Sequence, residues 1–214
     1  MIQDRLQRSS TEIFFDPLCP WAWITSRWLL QVEHIRPIDI TWSVMSLSVL
    51  NENCDELSDD YKALLLRCWA PVRVIVAAAR EHGDPVKKQL YDAIGTCLHP
   101  GGRGKDEADL RTVLVESLAE IGLPAELIDY ADNKPGDAID QLLRASHMRA
   151  IDLVGEDVGT PVVAVEGTAF FGPIVTPTPR GEAAGKLWDG YLLLAATPGF
   201  YEIKRTRTKG PDFN

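Results

Sequence analysis

The sequence predicts an α/β domain interrupted by a large all-helical insertion. Three observations lead there. A strand, an amphipathic helix and a second strand fill the first fifty residues; roughly a hundred residues of helical periodicity follow; two short apolar runs and a last helix close the chain.

Ile13-Phe14-Phe15 is an apolar run of the kind buried on both faces of a sheet. Pro20 suits the first turn of the next helix, where its missing N–H is not needed. Ile24, Trp28, Val32 and Ile35 recur at helical spacing, and Pro37 follows the expected end. Ile38, Ile40, Trp42 and Val44 then alternate with Asp39, Thr41 and Ser43, a half-buried strand by period. Strand, crossover helix and strand should be parallel and right-handed.

From Ser58 to Val154 the pattern is helical. Tyr61, Leu64, Leu65, Cys68, Val72, Ile75 and Ala79 trace one face, with Pro71 expected to kink or divide the helix. Val86, Leu90, Ile94 and Leu98 trace a second. Asp106 is a natural N-cap for a third, which Gly122 is placed to end. A short helix after Pro124 and a longer one over 135–151 complete the block. Residues 161–165 and 168–171 flank Glu166-Gly167 as a two-residue hairpin, and a helix over 180–194 is last. A lone hairpin is rarely stable, so both strand-bearing pieces should share one sheet. Residues 9–50 and 155–214 then form the α/β domain, and 51–154 the helical insertion.

Composition narrows the function. The chain has 214 residues, a net charge of −9, 45% hydrophobic and 25% charged residues. That acidity argues against nucleic acid and anionic membranes as partners. No stretch has the length of a transmembrane helix. Residues 1–8 lack the apolar core of a secretory signal, so a cytoplasmic location is expected. The basic run Lys204-Arg205-Thr206-Arg207-Thr208-Lys209 reads as a solvated tail. Cys19, Cys54, Cys68 and Cys97 have no paired spacing, which suggests free thiols and neither a disulfide framework nor a metal site.

The segment Phe15-Asp16-Pro17-Leu18-Cys19-Pro20-Trp21-Ala22 carries the chemistry. It sets Cys19 between a strand and the start of a helix, where the macrodipole favours the thiolate. Cys19 is the candidate nucleophile, with Pro20 shaping the turn and Trp21 beside the sulfur. The position where a dithiol motif would place its second cysteine is Ala22. Asp16 reads equally as a modulator of Cys19 and as a turn carboxylate. Trp23 and Trp28 read as core rather than substrate stackers, and Trp42, Met45 and Phe171 as core rather than the lining of a groove between sheet and insertion. The His99–Gly104 loop reads as a plain flexible connection rather than a mobile lip whose Arg103 binds an anionic substrate group. A resolving role for Cys68 would need the insertion to bring it near Cys19.

A sheet of this order with a cysteine opening its first helix is the thioredoxin arrangement. Val158-Gly159-Thr160-Pro161 adds a second match: in that fold a proline before the third strand sits opposite the cysteine, usually after a cis bond. There Thr160 and Pro161 would offer a backbone edge to a thiol substrate. The helical insertion resembles that of the DsbA-like group, which includes kappa-class glutathione transferases and chromene carboxylate isomerases. More narrowly, the chain resembles the actinobacterial mycothiol-dependent nitroreductases. The matching segments are Phe14–Trp21, Trp23–Trp28, Val44–Leu47, Asn51–Asn53, Gly155–Pro161, Ala169–Pro173, Pro179–Glu182 and Lys204–Thr208.

The resemblance implies an enzyme without flavin or metal that takes electrons from mycothiol or another low-molecular-weight thiol and acts on an electrophilic small molecule. The family motif Cys-Pro-Trp-Cys is here Cys-Pro-Trp-Ala. A single sulfur cannot close on itself, so chemistry must pass through a mixed disulfide with an external thiol. The departure keeps two alternatives open: a kappa-class-like thiol transferase or isomerase, and a non-catalytic thioredoxin-fold binding protein. A homodimer is compatible with the sequence and not specified by it.

Overall fold

A computed structural model describes residues 8–132 and 134–213. The amino-terminal stretch read above for a secretory signal lies, except for Arg8, outside the described residues. Strands β1 (Ser9–Phe15), β2 (Ile38–Val44), β3 (Val162–Val165) and β4 (Thr168–Phe171) form one sheet in the order β2-β1-β3-β4. β1 pairs parallel with β2 and antiparallel with β3, with Ile13 opposite both Trp42 and Val163. The β3–β4 hairpin turns at Glu166 (φ 49°) and Gly167 (φ 85°), the pair of positive φ values that matches strand twist.

Helix α1 (Pro20–Glu33) crosses from β1 to β2 and buries Ile24, Trp28 and Val32. It stops before Ile35, which is 37% exposed, because the His34–Pro37 segment turns back toward the sheet to start β2 at Ile38. Trp28 Nε1 donates to Ala184 O (3.1 Å) on α7 (Glu182–Ala195), and Tyr191 Oη donates to Val163 O (2.6 Å). The closing helix is thereby tied to both α1 and the sheet.

Between β2 and β3 lie α2 (Leu47–Leu50), α3 (Asp59–His82), α4 (Pro85–Leu98), α5 (Glu107–Glu120), a 3₁₀ turn (Ala125–Tyr130) and α6 (Ala138–Val154). Pro71 does not divide α3, which runs through it. Proline inside a helix costs about 3 kcal/mol, whereas burying each large aliphatic side chain returns roughly 1.5–3 kcal/mol. Val72, Val74 and Ile75 directly after it are fully buried. Asp106 caps α5 by accepting from Asp109 N (2.9 Å). α6 starts at Ala138 rather than Pro135, because Asp137 caps it by accepting from Asp140 N (2.7 Å).

One apolar core runs from the sheet into the helices. Tyr91 on α4 is its junction: its ring centroid lies 3.9 Å from that of Phe15 and 5.6 Å from that of Trp23. Phe14, on the opposite face of β1, joins Met45, Ile151 and Val162 in a smaller cluster. β1 is thus buried on both sides, and its end, where Asp16 to Cys19 follow, is held rigidly.

Candidate active site around Cys19

Cys19 is the N-cap of α1. Its backbone is extended (φ −80°, ψ 111°), its N–H donates to Asp16 O (3.0 Å), and its Sγ accepts from Ala22 N (3.4 Å). The fixed φ of Pro20 starts the helix immediately behind the sulfur. Across the site, the thiol donates to Thr160 O at 3.2 Å, and the Thr160–Pro161 peptide is cis. Five of the sequence candidates therefore meet here: Cys19, Pro20, Ala22, Thr160 and Pro161. Trp21 stands at the outer edge, half-buried. Ala22 is fully buried, so the place of a second thiol is filled by a methyl group against the core.

The expected activation of Cys19 is not what the surroundings produce. The residue is only 6% exposed, and burial pushes its thiol up. Hydrogen bonding to Thr160 and from Ala22 N–H draws it back, while the charge of Asp16 adds to the rise. A helix N-terminus favours a thiolate by a charge-dipole term worth up to about 2 kcal/mol in the best partly buried sites; removal of the sulfur from water outweighs it here.

Asp16 is fully buried. Its Oδ1 accepts from Leu18 N (2.9 Å) and its Oδ2 from Leu47 N (2.8 Å), so it pins the Cys19 turn to the start of α2. Burial raises it to about 7 against the pull of those two bonds. It is both of the things the sequence left open, a turn carboxylate and a charge that acts on the sulfur. Cys68, fully buried on α3, is pushed well up by burial, and the charges of Asp16 and Cys19 both reach it. The half-buried Tyr61 is raised by burial and feels Cys68, Cys19 and Asp16 as well. The helical segment thus brings a phenol and a second thiol into the electrostatic neighbourhood of Cys19.

Two elements read as passive border the site. His99 Nε2 donates to Pro17 O (2.9 Å), which fixes the tautomer, and burial lowers the ring to about 4, so it is neutral near pH 7. Its loop is built rather than plain: Arg103 pairs with Asp109 and Glu116, and Gly104 N donates to Asp109 Oδ2 (2.6 Å). Gly104, at φ 73°, passes so close to Leu98 that a Cβ would lie 2.3 Å from its Cδ2. The basic tail folds back over the same face. The Arg207 guanidinium lies 5.1 Å from the Trp21 ring centroid, Asp212 N donates to Thr176 Oγ1 (2.9 Å), and the Phe213 ring lies tilted with its centroid 5.4 Å from that of His99. The tail is solvated as read, with residues 201–212 all exposed, but these contacts lay it as a strap across the first turn of α1.

A cavity of about 220 Å³ opens beside this turn, floored by Leu18, Leu64 and Leu98 and edged by Arg67, His99 and Lys105. Another of about 230 Å³, at Glu81 and Tyr130, is lined by none of the residues of the Cys19 turn. Trp23, Trp28, Trp42 and Met45 are core, as read; Phe171 is 41% exposed and Cys54 is exposed. Sequence reasoning missed Tyr61, Arg67, Lys105 and the placement of Arg207. The one signal was the glycine-rich loop itself, whose Arg103 the sequence offered as an anion binder. Among the described residues no cluster of three His, Cys, Asp or Glu is placed to hold a metal, and no helix is long and apolar enough to cross a membrane.

The fold and the capped cysteine facing Thr160–Pro161 define a DsbA-like protein of the thioredoxin fold. Solved structures of similar fold include the cytosolic disulfide reductase DsbM from Pseudomonas aeruginosa, solved with GSH. It has 19% identity and a TM-score of 0.55, over 86% of this chain and 100% of that one. A probable DsbA oxidoreductase, SCO1869, from Streptomyces coelicolor shows 17% identity and a TM-score of 0.56 over 96% and 94%. A 2-hydroxychromene-2-carboxylate isomerase shows 11% identity and a TM-score of 0.57 over 86% and 93%. In sequence the chain is 31% identical to the uncharacterized protein Rv2286c of Mycobacterium tuberculosis, covering 94% of this chain and 83% of that protein. Residues 18–205 match the family model described as Rv2466c-like, mycothiol-dependent nitroreductase Rv2466c, and the chain belongs to that family.

Proposed function

We propose that this protein is a cytosolic thiol-dependent oxidoreductase that works through Cys19 alone, with mycothiol or a similar low-molecular-weight thiol as cosubstrate. The observation that carries the reading is the sulfur itself, held at the α1 N-terminus between the Ala22 N–H and the Thr160 carbonyl. The Cys19 thiolate attacks one sulfur of an external disulfide; that S–S bond breaks as the new one forms, and the other half departs as a thiolate. A second thiol, as thiolate, attacks the mixed disulfide, releasing the Cys19 thiolate and a new external disulfide. Thr160 and Pro161 align the partner, and Pro20 and Trp21 border it.

The Cys19 proton must leave first. The step is easier while Asp16, near 7, still holds its own proton, because the carboxylate charge opposes a thiolate beside it. Thr160 is 3% exposed and Cys19 6%. Entry of a cosubstrate therefore requires the tail at Trp21, or the helical segment 51–154 acting as a lid, to move. The sealed, raised thiol is the one feature favouring a transferase or isomerase that uses a bound thiol without oxidising it. Turnover distinguishes the two. With mycothiol as the only reductant, thiol oxidation should match product formation and vanish in Cys19→Ser; product without thiol oxidation, or activity that survives Cys19→Ser, would refute the proposal.

A further inference from the structure

Arginines near the site are mostly neutralised: Arg27 pairs with Asp92, and Arg103 with Asp109 and Glu116. Arg67 is not. Its Nη1 donates to Gly104 O (2.8 Å) and Lys105 O (2.5 Å), which fixes the guanidinium in the cavity wall. Its Nη2 and Nε have no partner among the described residues, and no carboxylate there lies within ion-pair distance. Lys105, on the same edge, likewise has no acidic partner. Of the acids that follow it, Asp109 pairs with Arg103 and Asp106 caps α5, while Glu107 is exposed at the start of α5. At Trp21 of the same turn rests Arg207, without a carboxylate partner among the described residues.

Two cations on one cavity edge, without an ion pair among the described residues, run against a chain of net charge −9. Low-dielectric walls strengthen their field inside a concave site. The floor of Leu18, Leu64 and Leu98 is apolar. A guanidinium prefers a planar two-oxygen anion as its partner.

We propose that this cavity is a subsite for a small molecule with an apolar body and one acidic group, held by Arg67 and Lys105. Leu18, which lines it, directly precedes Cys19, so the cavity adjoins the turn that carries the sulfur, while Cys19 itself is not among its lining residues. The subsite would thus set the substrate class of the reaction proposed above, on which the link to turnover rests; the binding itself does not depend on it.

The test uses the full-length Cys19→Ser protein, so that binding is read without chemistry. Tryptophan quenching is titrated with 4-nitrobenzoate and, separately, with its methyl ester. The acid should bind saturably and about tenfold more tightly than the ester, the scale of one charge-assisted hydrogen bond. Lys105→Gln, which removes no internal hydrogen bond, and Arg67→Gln should each weaken the acid severalfold and leave the ester unchanged. Equal affinity for acid and ester, absence of saturation, or indifference to both substitutions would overturn the subsite. Acid binding in a protein whose Cys19 forms no thiol adduct would keep the subsite and discard the mixed-disulfide reading.

Discussion

Replacing Asp16 by Asn should change stability in a way that depends strongly on pH. Asp16 is raised from 3.8 to about 7 by burial. Between those values the folded protein keeps a proton that the unfolded chain has released, so the contribution of this residue to stability falls as pH rises through the interval. At about 1.4 kcal/mol per unit, the interval from pH 4.5 to 7 is worth about 3 kcal/mol. Asn does not titrate, but its amide nitrogen must face the N–H of either Leu18 or Leu47, which Asp16 now satisfies. An unsatisfied buried donor costs about 1–3 kcal/mol at any pH.

The variant should therefore be less stable than the parent at pH 4.5 and recover about 3 kcal/mol relative to it at pH 8. His99 and His147, both lowered to about 4 by burial, contribute slopes of the opposite sign. They are common to both proteins and cancel in the difference. Urea unfolding of the two proteins at the two pH values measures it. A difference between variant and parent that changes by less than about 1 kcal/mol would refute the argument that burial holds Asp16 near 7. The same variant should titrate its Cys19 thiol at lower pH, because the Asp16 charge pushes that thiol up.

Other expectations follow from the same geometry. Ala22→Cys restores the dithiol motif and should give, on oxidation, a protein lighter by two hydrogens in intact mass; failure to close would mean the turn cannot bring the sulfurs together. Deleting residues 200–214 should speed iodoacetamide alkylation of Cys19 severalfold, since Arg207 and Phe213 then leave Trp21 and His99 uncovered; an unchanged rate would show that the strap does not limit access. Gly95→Ala places a Cβ 2.2 Å from Trp23 Cζ3, and overpacking of this kind costs about 1–3 kcal/mol, to be read as a lowered urea midpoint.

How much the sequence disclosed depended on whether the deciding physics was local. The α1 start was legible because Pro20 and the cap position are neighbours, and the hairpin because Glu166 and Gly167 must both take positive φ. α2, at four residues, is too short to show a helical period. Pro71 does not divide α3 as its local cost allowed, because that cost is outweighed by distant partners of the helix. The state of Cys19 was misread for the same reason: its thiol bonds to a carbonyl 141 residues away and is buried by segments that no local pattern joins to it. Charge along the tail described composition correctly, but nothing in it foretold Arg207 over Trp21.

The proposed function requires Cys19 to be a working monothiol exchange site. Intact mass after incubation with mycothiol disulfide tests it most directly, in a background where the exposed Cys54 and half-buried Cys97 are serine. One thiol adduct is expected, removed by excess mycothiol and absent when Cys19 is also serine. No adduct, or an adduct that survives Cys19→Ser, would contradict it.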